Sequence, residues 1–374
     1  MAEHFNSKDY GDYFESLERR LNKVEEPEKP LKTPIKSTQK RRAEKRRGIY
    51  KVVRIGKAVP ALVLAAAVIS VTAFALLHNG KGKEAPQTAA ESKTYAAEKT
   101  DNTAETIVYS IPDGTKEIPS DNDCEGAIII NTATHMAVAA RNPHKRLYPA
   151  STTKLMTLLV ACDNIESYDD TFTMTLKITD PLFVAEASVA GFLNGEVISM
   201  TDLLYGLILP SGADAAVALT QKISGSETEF VKLMNAKAKE LGLKDTHFAN
   251  ATGLFDEEQY TTAYDMAIIL ETALKNPICK KVISTYQYTT SKTEQHPEGI
   301  PLSATLFEYM YGTEPETATI LGGKTGYVNE SGYCIASYGT NNTTGNEYIV
   351  VTLKNSSRWP AFHGQIDLYK QFAD

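Results

Sequence analysis

A hydroxyl and an amine stand three residues apart in Ser151-Thr152-Thr153-Lys154. On a helix that spacing puts both side chains on one face, where they can meet. A serine hydroxyl is a weak nucleophile until a base takes its proton, and a buried lysine with a lowered pKa can be that base. A second hydroxyl follows in Ser211-Gly212-Ala213, 60 residues on, and a second amine in Lys324-Thr325-Gly326, 113 residues beyond that. In one cleft, two hydroxyls and two amines have the parts for acyl transfer: a nucleophile, a base, a proton relay and a cation for a substrate carboxylate. Each short word alone is weak. Ser37-Thr38-Gln39-Lys40 repeats the first in a charged tail, and Ser120-Asp121-Asn122 stands ahead of the nucleophile, in the wrong order for the second. Conjunction and order carry the reading.

These groups need a scaffold. Gly126–Ile130 and Met136–Ala140 predict a β-hairpin, with a polar turn through Asn131-Thr132-Ala133-Thr134. Leu155, Leu158, Leu159 and Ala161/Cys162 fall at helical spacing, so a helix is expected from Ser151 to about Cys162. Further helices are expected at 202–209, 215–223, 227–241 and 262–274. Strands return at 320–325, 332–338 and 347–354, before a last helix near 360–372. Strands at both ends with helices between predict an α+β domain whose antiparallel sheet is built from both termini. Lys324-Thr325-Gly326 would end its strand, where Gly326 lets an extended peptide lie against the edge.

The chain has 374 residues and a net charge of −7. Residues 1–57 balance to +7, which leaves −14 for 58–374 and argues against nucleic-acid binding by the main body. Residues 58–77 form an uncharged apolar run, which as a helix at about 1.5 Å per residue spans roughly 30 Å, enough for a bilayer core. The basic run Lys40–Lys57 precedes it, so the positive-inside bias predicts a cytoplasmic amino terminus and a catalytic domain outside the cell membrane. A cleaved signal peptide is the rival, given Ala73-Phe74-Ala75, but the segment before it is far longer than a normal n-region. The expected organisation is a mostly disordered basic tail at 1–57, a transmembrane helix at 58–77, a flexible linker at 78–106 and a folded domain at 107–374. Tyr10, Tyr13, Phe14, Leu17, Leu21 and Val24 fall at helical spacing and could dock on a cytoplasmic partner or on lipid; a weakly helical tail with no partner is the plainer reading. Cys124, Cys162, Cys279 and Cys334 are too few and scattered for a disulfide scaffold. The seven His show no metal-ligand spacing, so neither metal nor cofactor is expected.

With these residues in view, the chain resembles the low-molecular-mass penicillin-binding proteins, the serine D-alanyl-D-alanine carboxypeptidases of the β-lactamase/transpeptidase-like superfamily. The likeness covers roughly residues 120–360. It rests on Tyr148–Lys154, Asp202–Leu207, Leu209–Gly212, His247–Leu254, Thr262–Asp265 and Gly323–Tyr327. The resemblance implies that Ser151 attacks the bond between the terminal D-alanines of a peptidoglycan stem peptide. Lys154 is then the base, Ser211 the proton relay, Lys324 and Thr325 the carboxylate binders, and the N–H groups of Ser151 and Tyr327 the oxyanion hole. Gly212 and Gly326 would border the substrate, and β-lactams would acylate the same serine. Ala213 departs from the pattern, since the family usually has Asn there.

Two other functions fit the same words. A serine β-lactamase needs a carboxylate to activate the deacylating water, and Glu257 and Glu258 lie in the right interval. A non-catalytic wall-binding protein would keep the cleft without turnover, and Ala213 is its best argument.

Overall fold

The computed structural model describes residues 107–310 and 315–373. The tail, the apolar run and the linker expected before residue 107 lie outside these residues. Among the described residues, no helix is long and apolar enough to cross a membrane.

The chain opens with β1 (Lys116–Glu117), β2 (Gly126–Asn131) and β3 (Met136–Arg141). A 3-10 turn at Ala150–Thr153 leads directly into α1 (Lys154–Asn164). Next come β4 (Thr171–Thr173), α2 (Leu176–Val184), β5 (Val197–Ser199), α3 (Met200–Ile208), α4 (Ala213–Ser224) and α5 (Glu227–Glu240). Then follow α6 (Ala263–Lys275), α7 (Pro277–Ile283), β6 (Gln287–Thr289), β7 (Pro301–Ser303) and α8 (Thr305–Met310). The chain returns to the sheet through β8 (Ala318–Val328), β9 (Gly332–Asn341) and β10 (Glu347–Asn355), and ends in α9 (Arg358–Phe372).

The main sheet has the order β1-β3-β2-β10-β9-β8, so strands from both ends of the domain meet at β2 and β10. Every pair is antiparallel except β1 with β3, which is parallel. The expected α+β architecture is present. The run Gly126–Ile130 is apolar throughout because both faces of β2 are covered. Ile128 and Ile130 join the core under α1, α3, α4 and α6, whereas Ala127 and Ile129 join a second core under α8 and α9.

α1 lies in the larger core, with Lys154 through Cys162 all buried. A helix apolar on every side belongs there, and it makes Lys154 a charged group in an apolar setting. Local signals place the neighbouring helices. Ser199, Ser226, Thr262 and Asn276 each cap a helix by accepting from backbone N–H groups of its first turn. All four cysteines are buried free thiols.

The structure corrects several expectations. Lys324-Thr325-Gly326 does not end its strand: β8 runs on to Val328, and Tyr327 pairs with Tyr333. The helix expected from Ser151 begins as a 3-10 turn, and α4 starts at Ala213, two residues early. Ser120-Asp121-Asn122, by contrast, is the loop its wrong order implies, tied to the last helix where Asn122 Nδ2 donates to Gly364 O.

Candidate active site

Ser151 sits in the 3-10 turn after Pro149, and Lys154 is the first residue of α1. Leu147 exchanges two backbone hydrogen bonds with Thr261, which fixes the approach to this turn. Lys154 Nζ donates to Ser151 Oγ at 3.0 Å and also to Thr252 O. Only 1% of Lys154 is exposed. Burial lowers its pKa from 10.5 to about 7, against the opposing pull of Asp214 and Glu227. A lysine that loses its proton near neutrality can act as a general base.

Ser211 has φ 66°, the left-handed region, and is buried. It does not cap α4; Gly212 occupies that position, without a side-chain bond. Among the described residues its hydroxyl finds no hydrogen-bond partner, and it borders the same cleft as Ser151 and Lys154. The expected link from Ser211 to Lys154 is therefore not made in this structure.

β8 forms the third wall. A Cβ on Gly326 would lie 2.7 Å from Ser151 N and 3.0 Å from Thr152 N, so only glycine lets the strand come this close to the nucleophile. Lys324 shares that face of β8. It is buried, and Nζ donates to Thr325 O at 2.8 Å. Burial, then the charge of Lys154, pushes its pKa well down.

The cleft has a volume of 620 Å³ and is bordered by Ser151, Lys154, Ser211, Ala213, Thr325, Gly326 and Tyr327, among others. Two predicted site residues do not line it. Lys324 does not border it, whereas its neighbour Thr325 does. Gly212 serves packing instead: a Cβ there would meet Gly206 O at 2.6 Å and Ala190 N at 2.9 Å.

These words stand in the order and geometry of one family, and a profile of the D-alanyl-D-alanine carboxypeptidases matches residues 113–357. The chain belongs to that carboxypeptidase family. The D-alanyl-D-alanine carboxypeptidase DacF of Bacillus subtilis is 36% identical over 235 residues, 61% of this chain and 57% of its own length. The D-alanyl-D-alanine carboxypeptidase of Streptomyces sp. strain K15 is 30% identical over 244 residues, 63% of this chain and 82% of its own. The solved structure of the Streptomyces K15 DD-transpeptidase matches with a TM-score of 0.59 at 29% identity, covering 66% of this chain and 97% of that one. The chain thus spans little more than half of DacF, and 39% of the Salmonella typhimurium DacD.

Within this carboxypeptidase-family site, Ala213 turns a methyl group to the cleft where an amide is usual. Asp214 does not replace it. Its buried carboxylate accepts from the N–H groups of Ala190 (2.8 Å), Gly191 (3.0 Å), Phe192 (3.3 Å) and Ala215 (2.9 Å). Burial raises its pKa, and those backbone bonds oppose the rise. Glu257 and Glu258 are exposed and border no part of the cleft. Sequence reasoning missed the Thr252 carbonyl. The stretch 247–254 carried the family resemblance, but a main-chain oxygen has no residue type to betray it. Among the described residues, no group of three or more His, Cys, Asp or Glu could hold a metal ion.

Proposed function

We propose that this chain is a serine-type D-Ala-D-Ala carboxypeptidase that removes the terminal D-alanine from peptidoglycan stem peptides. The observation that carries the reading is the 3.0 Å contact between Lys154 Nζ and Ser151 Oγ, made by a lysine that titrates near 7. With the amine neutral, the Ser151 proton passes to Lys154 as Oγ attacks the carbonyl between the two D-alanines. The N–H groups of Ser151 and Tyr327 stabilise the oxyanion, the first because an opening helical turn leaves its N–H groups without intrahelical acceptors. Ser211, which borders the cleft, then relays the proton to the departing D-alanine amine. Thr325 holds the terminal carboxylate, whose own charge favours the protonated form of Lys324. Water, giving up its proton to the same base, hydrolyses the acyl ester and restores Ser151.

β-Lactams acylate Ser151 by the same attack and leave slowly. In this reading residues 58–77 anchor the protein in the cell membrane, with the tail in the cytoplasm and the catalytic domain outside. Support comes from the length of that run and the basic residues before it.

The test incubates the full-length protein with a pentapeptide ending in D-Ala-D-Ala and measures free D-alanine. Release is expected, and Ser151→Ala should abolish both release and labelling by a fluorescent penicillin. Labelling without release would favour a non-catalytic binder. Rapid turnover of a chromogenic cephalosporin would favour a β-lactamase.

A further inference from the structure

The Thr252 carbonyl that receives Lys154 is held by a set of side chains outside the cleft. Gln259 Oε1 accepts from the N–H groups of Ala249 (3.1 Å) and Asn250 (3.0 Å). Asn250 Oδ1 accepts from those of Thr252 (3.2 Å) and Gly253 (2.8 Å). The one between them, on Ala251, goes to Glu227 Oε1 at 2.9 Å. On the other side of the same residue, Thr157 Oγ1 donates to Ala251 O at 2.7 Å. Thr157 is one turn beyond Lys154, so α1 grips two successive carbonyls with two side chains on one face. The peptide unit presented to the lysine is pinned from both directions. Of its five consecutive N–H groups, four go to neutral amide oxygens and one to a carboxylate.

We propose that Glu227 is a positioning residue for acylation: by holding Ala251 with a charged acceptor it fixes the Thr252 carbonyl that orients Lys154. The inference rests on the carboxypeptidase reading of this site. A charge-assisted bond is shorter and stronger than a neutral one, which suits the one tether that must resist the pull of an ammonium on the adjoining carbonyl. Glu227 stands in the first turn of α5, half-buried, and touches neither Ser151 nor the cleft. The carboxylates whose charge acts on Lys154 are Asp214 from α4 and Glu227 from α5, while Lys154 in turn lowers the pKa of Lys324 on β8. Asp214 and Glu227 both favour the ammonium, so removing the second eases loss of the proton.

The experiment measures the second-order rate of Ser151 labelling by a fluorescent penicillin from pH 5 to 9 in the full-length protein, with Glu227→Gln and Glu227→Ala beside the parent. The glutamine keeps an acceptor for Ala251 and loses the charge. Its acidic limb should move to lower pH by roughly half a unit, with the plateau kept. The alanine loses both effects, and its plateau should fall about tenfold or more, as for other supporting residues behind a reactive group. A Glu227→Gln profile that superimposes on the parent overturns the proposal, and that variant decides the matter if Glu227→Ala fails to fold. An alanine variant that folds and keeps the parental plateau overturns it equally. A parent that is never labelled, at any pH, sinks the carboxypeptidase reading itself and this inference with it.

Discussion

Replacing Lys154 with Met should make the protein inactive and, near neutral pH, more stable. The folded state holds this amine at a pKa of about 7, against 10.5 for the free side chain. Below pH 7 a proton sits on a buried ammonium, and 3.5 units at 1.36 kcal/mol each make that cost about 5 kcal/mol. The sign follows from the direction of the shift. A lysine whose folded pKa is depressed costs stability in full below the folded value, and the cost fades as pH rises towards 10.5. Methionine keeps the length and flexibility of the side chain without the charge. It strands the Thr252 carbonyl, at about 1–3 kcal/mol. The net gain at pH 6 is therefore about 2–4 kcal/mol, or roughly 5–10 °C in Tm for a domain of this size. At pH 10 the gain should vanish or reverse, because little charge remains to remove while the stranded carbonyl still counts. Thermal unfolding of parent and variant at pH 6, 8 and 10 checks this. A Lys154→Met protein less stable than the parent at pH 6, or a difference that does not change with pH, would refute the claim that burial makes Lys154 a base.

Gly326→Ala places a methyl 2.7 Å from Ser151 N and should cost about 1–3 kcal/mol in overpacking while lowering penicillin labelling by two orders of magnitude or more. Normal labelling would show that β8 need not approach the nucleophile so closely. Asp214→Ala should cost about 2–4 kcal/mol through the orphaned N–H groups of Ala190, Gly191 and Phe192, and should raise KM for the peptide because Ala185–Ser188 of the cleft wall precede them directly. Urea unfolding and steady-state kinetics measure the two effects, and an unchanged KM would separate that loop from substrate binding.

How far the sequence could be read depended on which atoms do the work. Ser151 and Lys154 were legible because their spacing and the apolar run behind them are both written in residue types. Ser226 ahead of an acidic turn marks a helix start in the same open way, whereas the short helix after Asn276 was not expected. Where a backbone oxygen acts, no letter marks it, so Thr252 was missed. Burial is the second blind spot. Lys154 and Lys324 look alike in sequence, and both are 1% exposed, yet only one touches the serine and borders the cleft. The other donates a hydrogen bond to the carbonyl of its own neighbour, Thr325. That difference follows from the route of β8. Because the strand continues to Val328, its period-two alternation turns Lys324 and Gly326 to one face, and a glycine two residues on brings Ser151 close above it. Burial lowers the pKa of both amines, and the charge of Lys154 lowers that of Lys324 further, so the pair does not easily hold two protons. Of the two amines only Lys154 bonds to Ser151, the contact that the proposed base needs, whereas Lys324 bonds to the Thr325 carbonyl.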